Sequence, residues 1–133
     1  MKLLKTMLNT ISRRKTILAV DDQPDMLDTL KKLLKYEYHV YGVTTHTAAL
    51  KFLEKKTPDL ILLDIEMPGM DGIELLKVLR GMGKLKNVPI VFVTSKSSMA
   101  NLEHVAQGDG DGFIKKPVDY KFVERIKKYF KDK

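Results

Sequence analysis

The run Leu60-Ile61-Leu62-Leu63 constrains this chain more than any other stretch. Four aliphatic residues in succession leave no polar face. A strand built from them is buried on both sides, as in a parallel sheet flanked by helices. Pro58-Asp59 leads into the run and Asp64 stops it. Pro68, Gly69, Asp71 and Gly72 then break any periodicity, until Ile73, Leu76 and Leu79 resume it at helical spacing. The order is strand, acid, turn, helix. An acid at the carboxyl end of a central strand lies where open α/β sheets place their chemistry, although a lone Asp there can equally just open a loop.

The same unit recurs along the chain. Thr16-Ile17-Leu18-Ala19-Val20 ends in Asp21-Asp22, and Met26, Leu27, Leu30, Leu33 and Leu34 follow at helical spacing with lysines on the other face. Tyr38 to Val43 reads as a second strand, and Ala48, Ala49, Phe52 and Leu53 as a second helix. Gly81 and Gly83 are expected to close the helix that ends near Arg80. Val88 to Val93 is a fourth apolar run, ending in Thr94-Ser95. Ser97-Ser98 can cap a helix carrying Met99, Leu102, Val105 and Ala106, the thinnest apolar stripe of the set and so the one expected to move most readily. After the loop Gly108-Asp109-Gly110-Asp111-Gly112, Phe113-Ile114 is a short final strand. Val118, Phe122, Val123, Ile126, Tyr129 and Phe130 mark a last helix. Five strands alternating with five helices require parallel pairing and right-handed crossovers, hence a three-layer α/β sandwich.

At 133 residues there is room for one ordinary domain. No run approaches about 18 consecutive apolar residues, so no transmembrane helix is expected. The absence of Cys excludes disulfides, thiolate metal sites and Cys nucleophiles, and suits a reducing, cytoplasmic setting. The net charge of +7 is unevenly spread. Lys2, Lys5, Arg13, Arg14 and Lys15 stand in a segment without acids; setting them aside leaves 19 basic against 17 acidic residues. So balanced a body lacks the dense phosphate-binding patch that nucleic acid requires, and no direct nucleic-acid binding is expected.

Residues 1–14 place Leu4, Met7, Leu8 and Ile11 at helical spacing beside Leu3, a short cationic amphipathic helix without the features of a secretory signal. The plainest reading is an extension that packs on its own domain or frays. Docking to a partner or to an anionic membrane surface is the alternative. The expected organisation is an extension over 1–14 and one domain over 15–133.

In this architecture the carboxyl ends of all strands share one edge, which brings Asp21, Asp22, Asp64, Thr94 and Lys116 together. Clustered carboxylates stay ionised only if a cation joins them, and oxygen ligands without His or Cys select Mg²⁺ or Mn²⁺. Taken singly, each residue has an ordinary explanation: helix capping for Asp21 or Asp22, a strand-end hydroxyl for Thr94, surface charge for Lys116.

Together, Asp21-Asp22, the segment Leu63-Asp64-Ile65-Glu66-Met67-Pro68-Gly69-Met70-Asp71-Gly72, Thr94 and Lys116-Pro117 resemble the response-regulator receiver domain, the family that includes the single-domain chemotaxis regulators. The resemblance covers roughly residues 15–131. It implies a flavodoxin-like sheet of order 2-1-3-4-5. It implies Asp64 as phosphoacceptor from a histidine kinase or phosphotransfer protein. Asp22, Asp64 and the backbone carbonyl of Glu66 are implied as Mg²⁺ ligands, with Asp21 acting through water. Lys116 and Thr94 are implied as partners of the phosphoryl group. Phe113 falls at the position of an aromatic switch that reshapes the face made by the fourth βα helix, the fifth strand and the fifth helix, where a downstream target would bind. Glu66 and Lys96, two residues after Asp64 and Thr94, occupy positions that tune the lifetime of the phosphorylated state. The loop from Gly108 to Gly112 is richer in Gly than the family's usual Gly-Ala-Asp-Asp.

The resemblance implies a regulatory phosphoacceptor and not a classical enzyme, with at most slow self-phosphorylation and self-dephosphorylation. Three rivals stand beside it. A receiver-like binding module indifferent to phosphate would be expected to lack one of the five edge residues. An aspartate-nucleophile phosphatase would carry Asp-x-Asp where Asp64-Ile65-Glu66 stands. The third is the receiver portion of a larger output protein.

Overall fold

The computed structural model describes residues 2–12, 14–95 and 111–130. Its elements in order are α1 (Lys2–Ser12), β1 (Lys15–Val20), α2 (Pro24–Leu34), β2 (Tyr38–Val43), α3 (His46–Lys55), β3 (Leu60–Leu63), α4 (Gly72–Arg80), a 3₁₀ turn (Gly83–Leu85), β4 (Ile90–Thr94), β5 (Gly112–Lys115) and α5 (Tyr120–Lys127). The strands form a single parallel sheet in the order β2-β1-β3-β4-β5. The helix expected from Ser97 through Ala106, and with it Lys96, lies outside the described residues.

The aliphatic runs divide between two cores, as a strand of period two buried on both faces must. In β1, Leu18 and Val20 join Ile61, Leu63 and Phe92 under α3 and α4, which contribute Ala49, Leu53, Leu75, Leu76 and Leu79. Ile17 and Ala19 face the other way, with Leu60, Leu62, Val91 and Val93, beneath Leu27, Leu30 and Leu34 of α2 and Phe122 and Ile126 of α5. All these side chains are buried, and truncating one of the leucines to Ala would cost about 2–5 kcal/mol.

The helix starts are set locally. Pro24 occupies the first turn of α2, where its missing N–H costs nothing. Thr45 caps α3 by accepting from the Ala48 N–H at 3.0 Å, Asp71 caps α4 by accepting from Glu74 at 2.9 Å, and Asp119 accepts from Lys121 at 2.9 Å at the start of α5.

Some boundaries differ from the sequence expectation for physical reasons. β4 begins at Ile90 and not Val88, because Pro89 has no N–H for the ladder while its carbonyl still accepts from Ile61 at 3.0 Å. Gly81 does end α4, but in a right-handed conformation (φ −75°, ψ −12°), so the chain runs on into the 3₁₀ turn and buries Leu85. In α1 the side chains of Leu3, Leu4, Met7 and Leu8 are 53–73% exposed, so these four do not pack on the domain.

Candidate functional site

The site lies where β1, β3 and β4 deliver their last residues to the carboxyl edge. Register puts the ends of β1 and β3 level, Val20 pairing with Leu63, while β4 passes Phe92, the partner of Leu63, and runs two residues further to Thr94. The ladder continues one step past the strands. The Asp21 N–H donates to the Val43 carbonyl at 3.1 Å, Asp64 N–H to Val20 at 2.9 Å, and Lys116 N–H to Thr94 at 2.7 Å. The backbone under each polar side chain is therefore fixed by the sheet.

Asp21 and Asp64 are buried, Asp22 is half-buried, and one carboxylate oxygen from each lies within 4.8 Å of the others. Lys116 spans two of them, its ammonium 3.0 Å from Asp21 Oδ2 and 3.6 Å from Asp64 Oδ1. Asp21 uses its other oxygen to accept from the Gln23 N–H at 2.9 Å, so it shapes the turn into α2 without capping the helix. Thr94 is fully buried and its hydroxyl has no hydrogen-bond partner among the described residues. A buried hydroxyl without a partner is costly.

The charge balance is as unusual as the geometry. The Asp64 carboxyl is pushed up from 3.8 to about 6, first by burial and then by the neighbouring charge of Asp21; Lys116 opposes this, Asp22 adds to it, and the Glu66 N–H donating to the carboxylate lowers it. Among the described residues, Lys116 bridges two of the three acids. The donor set, three carboxylates with no His or Cys, fits a hard divalent cation of the Mg²⁺ type.

The turn after Asp64 explains its own composition. Ile65 and Met67 are buried and anchor it to the core beneath α3 and α4. Gly69 carries φ +88°, open to glycine at little cost. Gly72 N–H donates to the Ile65 carbonyl at 2.8 Å, and a Cβ at Gly72 would collide with the Asp64 carbonyl and sit 2.9 Å from Ile65 Cα. The first turn of α4 is pressed against the acid's own backbone. The sequence pattern marks Gly72 only as a turn residue; its place directly after the Asp71 cap is the one signal of this closer contact.

Of the sequence-predicted residues, the structure brings Asp21, Asp22, Asp64, Thr94 and Lys116 to one edge. The Lys116–Pro117 peptide is cis. Glu66 is exposed at the rim. Phe113 stands in β5 opposite Phe92, three residues before Lys116, and is 40% exposed. Lys96 is outside the described residues.

Residues 17–127 match the family model of the response regulator receiver domain. The chain belongs to this family. The polar-differentiation response regulator DivK of Brucella anthropi is 29% identical to this receiver domain over 120 residues, which are 89% of this chain and 98% of DivK. Histidine kinase P4 of Formosa agariphila is 34% identical over 121 residues, 90% of this chain but only 9% of that kinase. The receiver domain thus spans nearly all of one relative and less than a tenth of the other. The signal receiver domain of a signal transduction histidine kinase from Syntrophus aciditrophicus has the same fold, with a TM-score of 0.72 at 32% identity, covering 84% of this chain and 89% of that one. Receiver domains are regulatory modules of two-component signalling that work with histidine kinases and downstream targets. No helix among the described residues is long and apolar enough to cross a membrane.

Proposed function

We propose that this chain is a phosphorylation-dependent switch that accepts a phosphoryl group on Asp64 from a histidine kinase or phosphotransfer protein. The observation that carries the reading is the state of Asp64: a buried carboxylate whose proton affinity is raised among two other acids, with one lysine to balance them. With its carboxyl at about 6, Asp64 is mostly ionised at neutral pH and can act as the nucleophile. One of its oxygens bonds to phosphorus as the phosphorus–nitrogen bond of the donor phosphohistidine breaks, and the imidazole leaves with that electron pair. Lys116, already 3.6 Å from Asp64, pairs with the incoming phosphoryl oxygens. The Thr94 hydroxyl, which has no partner among the described residues, gains an acceptor in the phosphoryl group.

Asp22, Asp64 and the Glu66 backbone carbonyl would hold Mg²⁺ or Mn²⁺, with Asp21 acting through water. When bound, the ion supplies neutralisation of charge on the transferring phosphoryl oxygens. In this reading residues 15–133 are the receiver unit, a cytoplasmic module with at most slow self-phosphorylation and self-dephosphorylation, and residues 1–14 are an extension outside it. The signal leaves through the face of β5 and α5 together with the helix expected from Ser97 through Ala106, with Phe113 as the aromatic switch. Glu66 and Lys96 set the lifetime of the phosphorylated state.

The test is incubation with Mg²⁺ and acetyl phosphate followed by intact mass. Wild type gains one phosphoryl group, chelation of the metal abolishes the gain, and Asp64→Asn shows none. An unmodified wild-type protein would overturn the proposal.

A further inference from the structure

The site leaves one conspicuous surface unexplained. α1 presents Leu3, Leu4, Met7 and Leu8 on one side, all more than half exposed, and a helix folded against its own sheet would have buried that stripe. Lys2 and Lys5 are also exposed, and residues 1–15 hold five basic side chains and no acid. An apolar stripe beside unopposed positive charge is the pattern of a helix lying in a lipid interface.

The base of α1 continues this surface. Arg14 donates to the Lys35 carbonyl at 3.0 Å, which fixes the exit of α1 beside the C-terminal end of α2. Lys31, Lys32 and Lys35 are exposed at that end, and Tyr36, 73% exposed, lies under the Lys35 ammonium at 5.1 Å. An exposed tyrosine among lysines suits the headgroup region, where an amphipathic ring meets both apolar chains and charge. The acidic edge is also distant from the exit of α1. α1 enters β1 at Lys15 and the acids leave at Asp21, so the six residues of β1 separate the two regions by about 20 Å.

We infer that α1 docks the receiver domain onto an anionic lipid surface, burying Leu3, Leu4, Met7 and Leu8 in the interface while Lys2 and Lys5 pair with lipid phosphates. Charge decides against a second copy of the chain as occupant. Two such helices face to face would bring like charges together, whereas anionic headgroups complement them.

The experiment is co-sedimentation of the full chain with vesicles of equimolar phosphatidylcholine and phosphatidylglycerol, with pure phosphatidylcholine vesicles in parallel. Wild type partitions onto the anionic vesicles, and salt weakens the binding. Leu4→Glu combined with Leu8→Glu lowers partitioning on the order of 100-fold, and Lys2→Glu combined with Lys5→Glu lowers it on the order of 10-fold or more. Both variants keep the wild-type unfolding temperature, since the altered side chains are exposed. Asp64→Asn binds vesicles like wild type, which separates this inference from the phosphorylation reading. Absence of binding, equal partition onto phosphatidylcholine alone, undiminished binding of the leucine variant, or a dimer in solution that the leucine variant abolishes would each overturn the inference.

Discussion

The two edges of the sheet use the same residue for opposite ends. At the amino edge, Asp59 and Asp111 each stand one residue before a strand and clasp the neighbouring strand in both directions. Asp59 N–H donates to the Thr16 carbonyl at 2.8 Å and its carboxylate accepts from the Thr16 N–H at 2.8 Å. Asp111 repeats this on Ile90 at 2.9 and 2.8 Å, and its carboxylate also takes Arg80 at 2.5 Å. Arg80 in turn donates to the carbonyls of Leu85 and Val88, tying the end of α4 and the 3₁₀ turn to the start of β4. At the carboxyl edge, Asp21 and Asp64 stand one residue after a strand, and their charges converge with one lysine between them. An acid before a strand finds backbone N–H groups still waiting for partners. An acid after a strand finds other acids, and the unspent charge there is what chemistry can use.

Changes at the carboxyl edge should therefore abolish function without loss of stability, and changes at the amino edge should do the reverse. Asp64→Asn has the largest functional effect: phosphorylation is lost outright while the urea midpoint stays at or above the wild-type value, because one of three crowded charges is gone. A midpoint well below wild type would show that the acid also supports the fold.

Next comes Asp111→Ala, which removes the carboxylate shared by the half-buried Arg80 and the Ile90 N–H. It should cost about 2–3 kcal/mol in urea denaturation with labelling by acetyl phosphate retained. Loss of labelling in a folded variant would break the contrast.

The pH dependence follows in size. Because the folded chain raises the Asp64 carboxyl from 3.8 to about 6, it holds that proton more tightly than the unfolded chain does. The stability so gained is complete below about pH 4 and lost as pH rises through about 6, some 1–2 kcal/mol once solvent screening at the site mouth is allowed for. Unfolding of metal-free protein from pH 4 to 7 should show this fall, and Asp64→Asn should lack it. Smallest is Asp59→Ala, whose clasp is exposed: about 1 kcal/mol, read as a shift of the urea midpoint at unchanged slope.

β1, β3 and β4 were legible because apolar runs of about four residues leave few alternatives, and Asp21, Asp64 and Thr94 because each follows such a run directly. Tyr38–Val43 has the bounds its alternation implies. Asp111 was not legible as a clasp. In Gly108-Asp109-Gly110-Asp111-Gly112 it looks like one loop acid among glycines, and its partner Arg80 is 31 residues away with no periodicity linking them. The bridging of Asp21 and Asp64 by one lysine likewise depends on side-chain reach across 95 and 52 positions, which no local pattern encodes. The exposure of α1 was equally hidden: an amphipathic stripe shows that a face wants cover, without showing what covers it.

The contact between Gly72 and the Asp64 carbonyl has a consequence for how this fold can vary. Because α4 starts hard against the acid's backbone, the span from Ile65 to Asp71 works as an index between nucleophile and helix. Adding or removing one residue there would move a side chain into the place that admits none. Keeping the helix start fixed instead would rotate α4 by about 100° and swing Leu75, Leu76 and Leu79 off the sheet. The span is free to change in composition, within the needs of its buried residues and Gly69, but its length is set by the acid it serves.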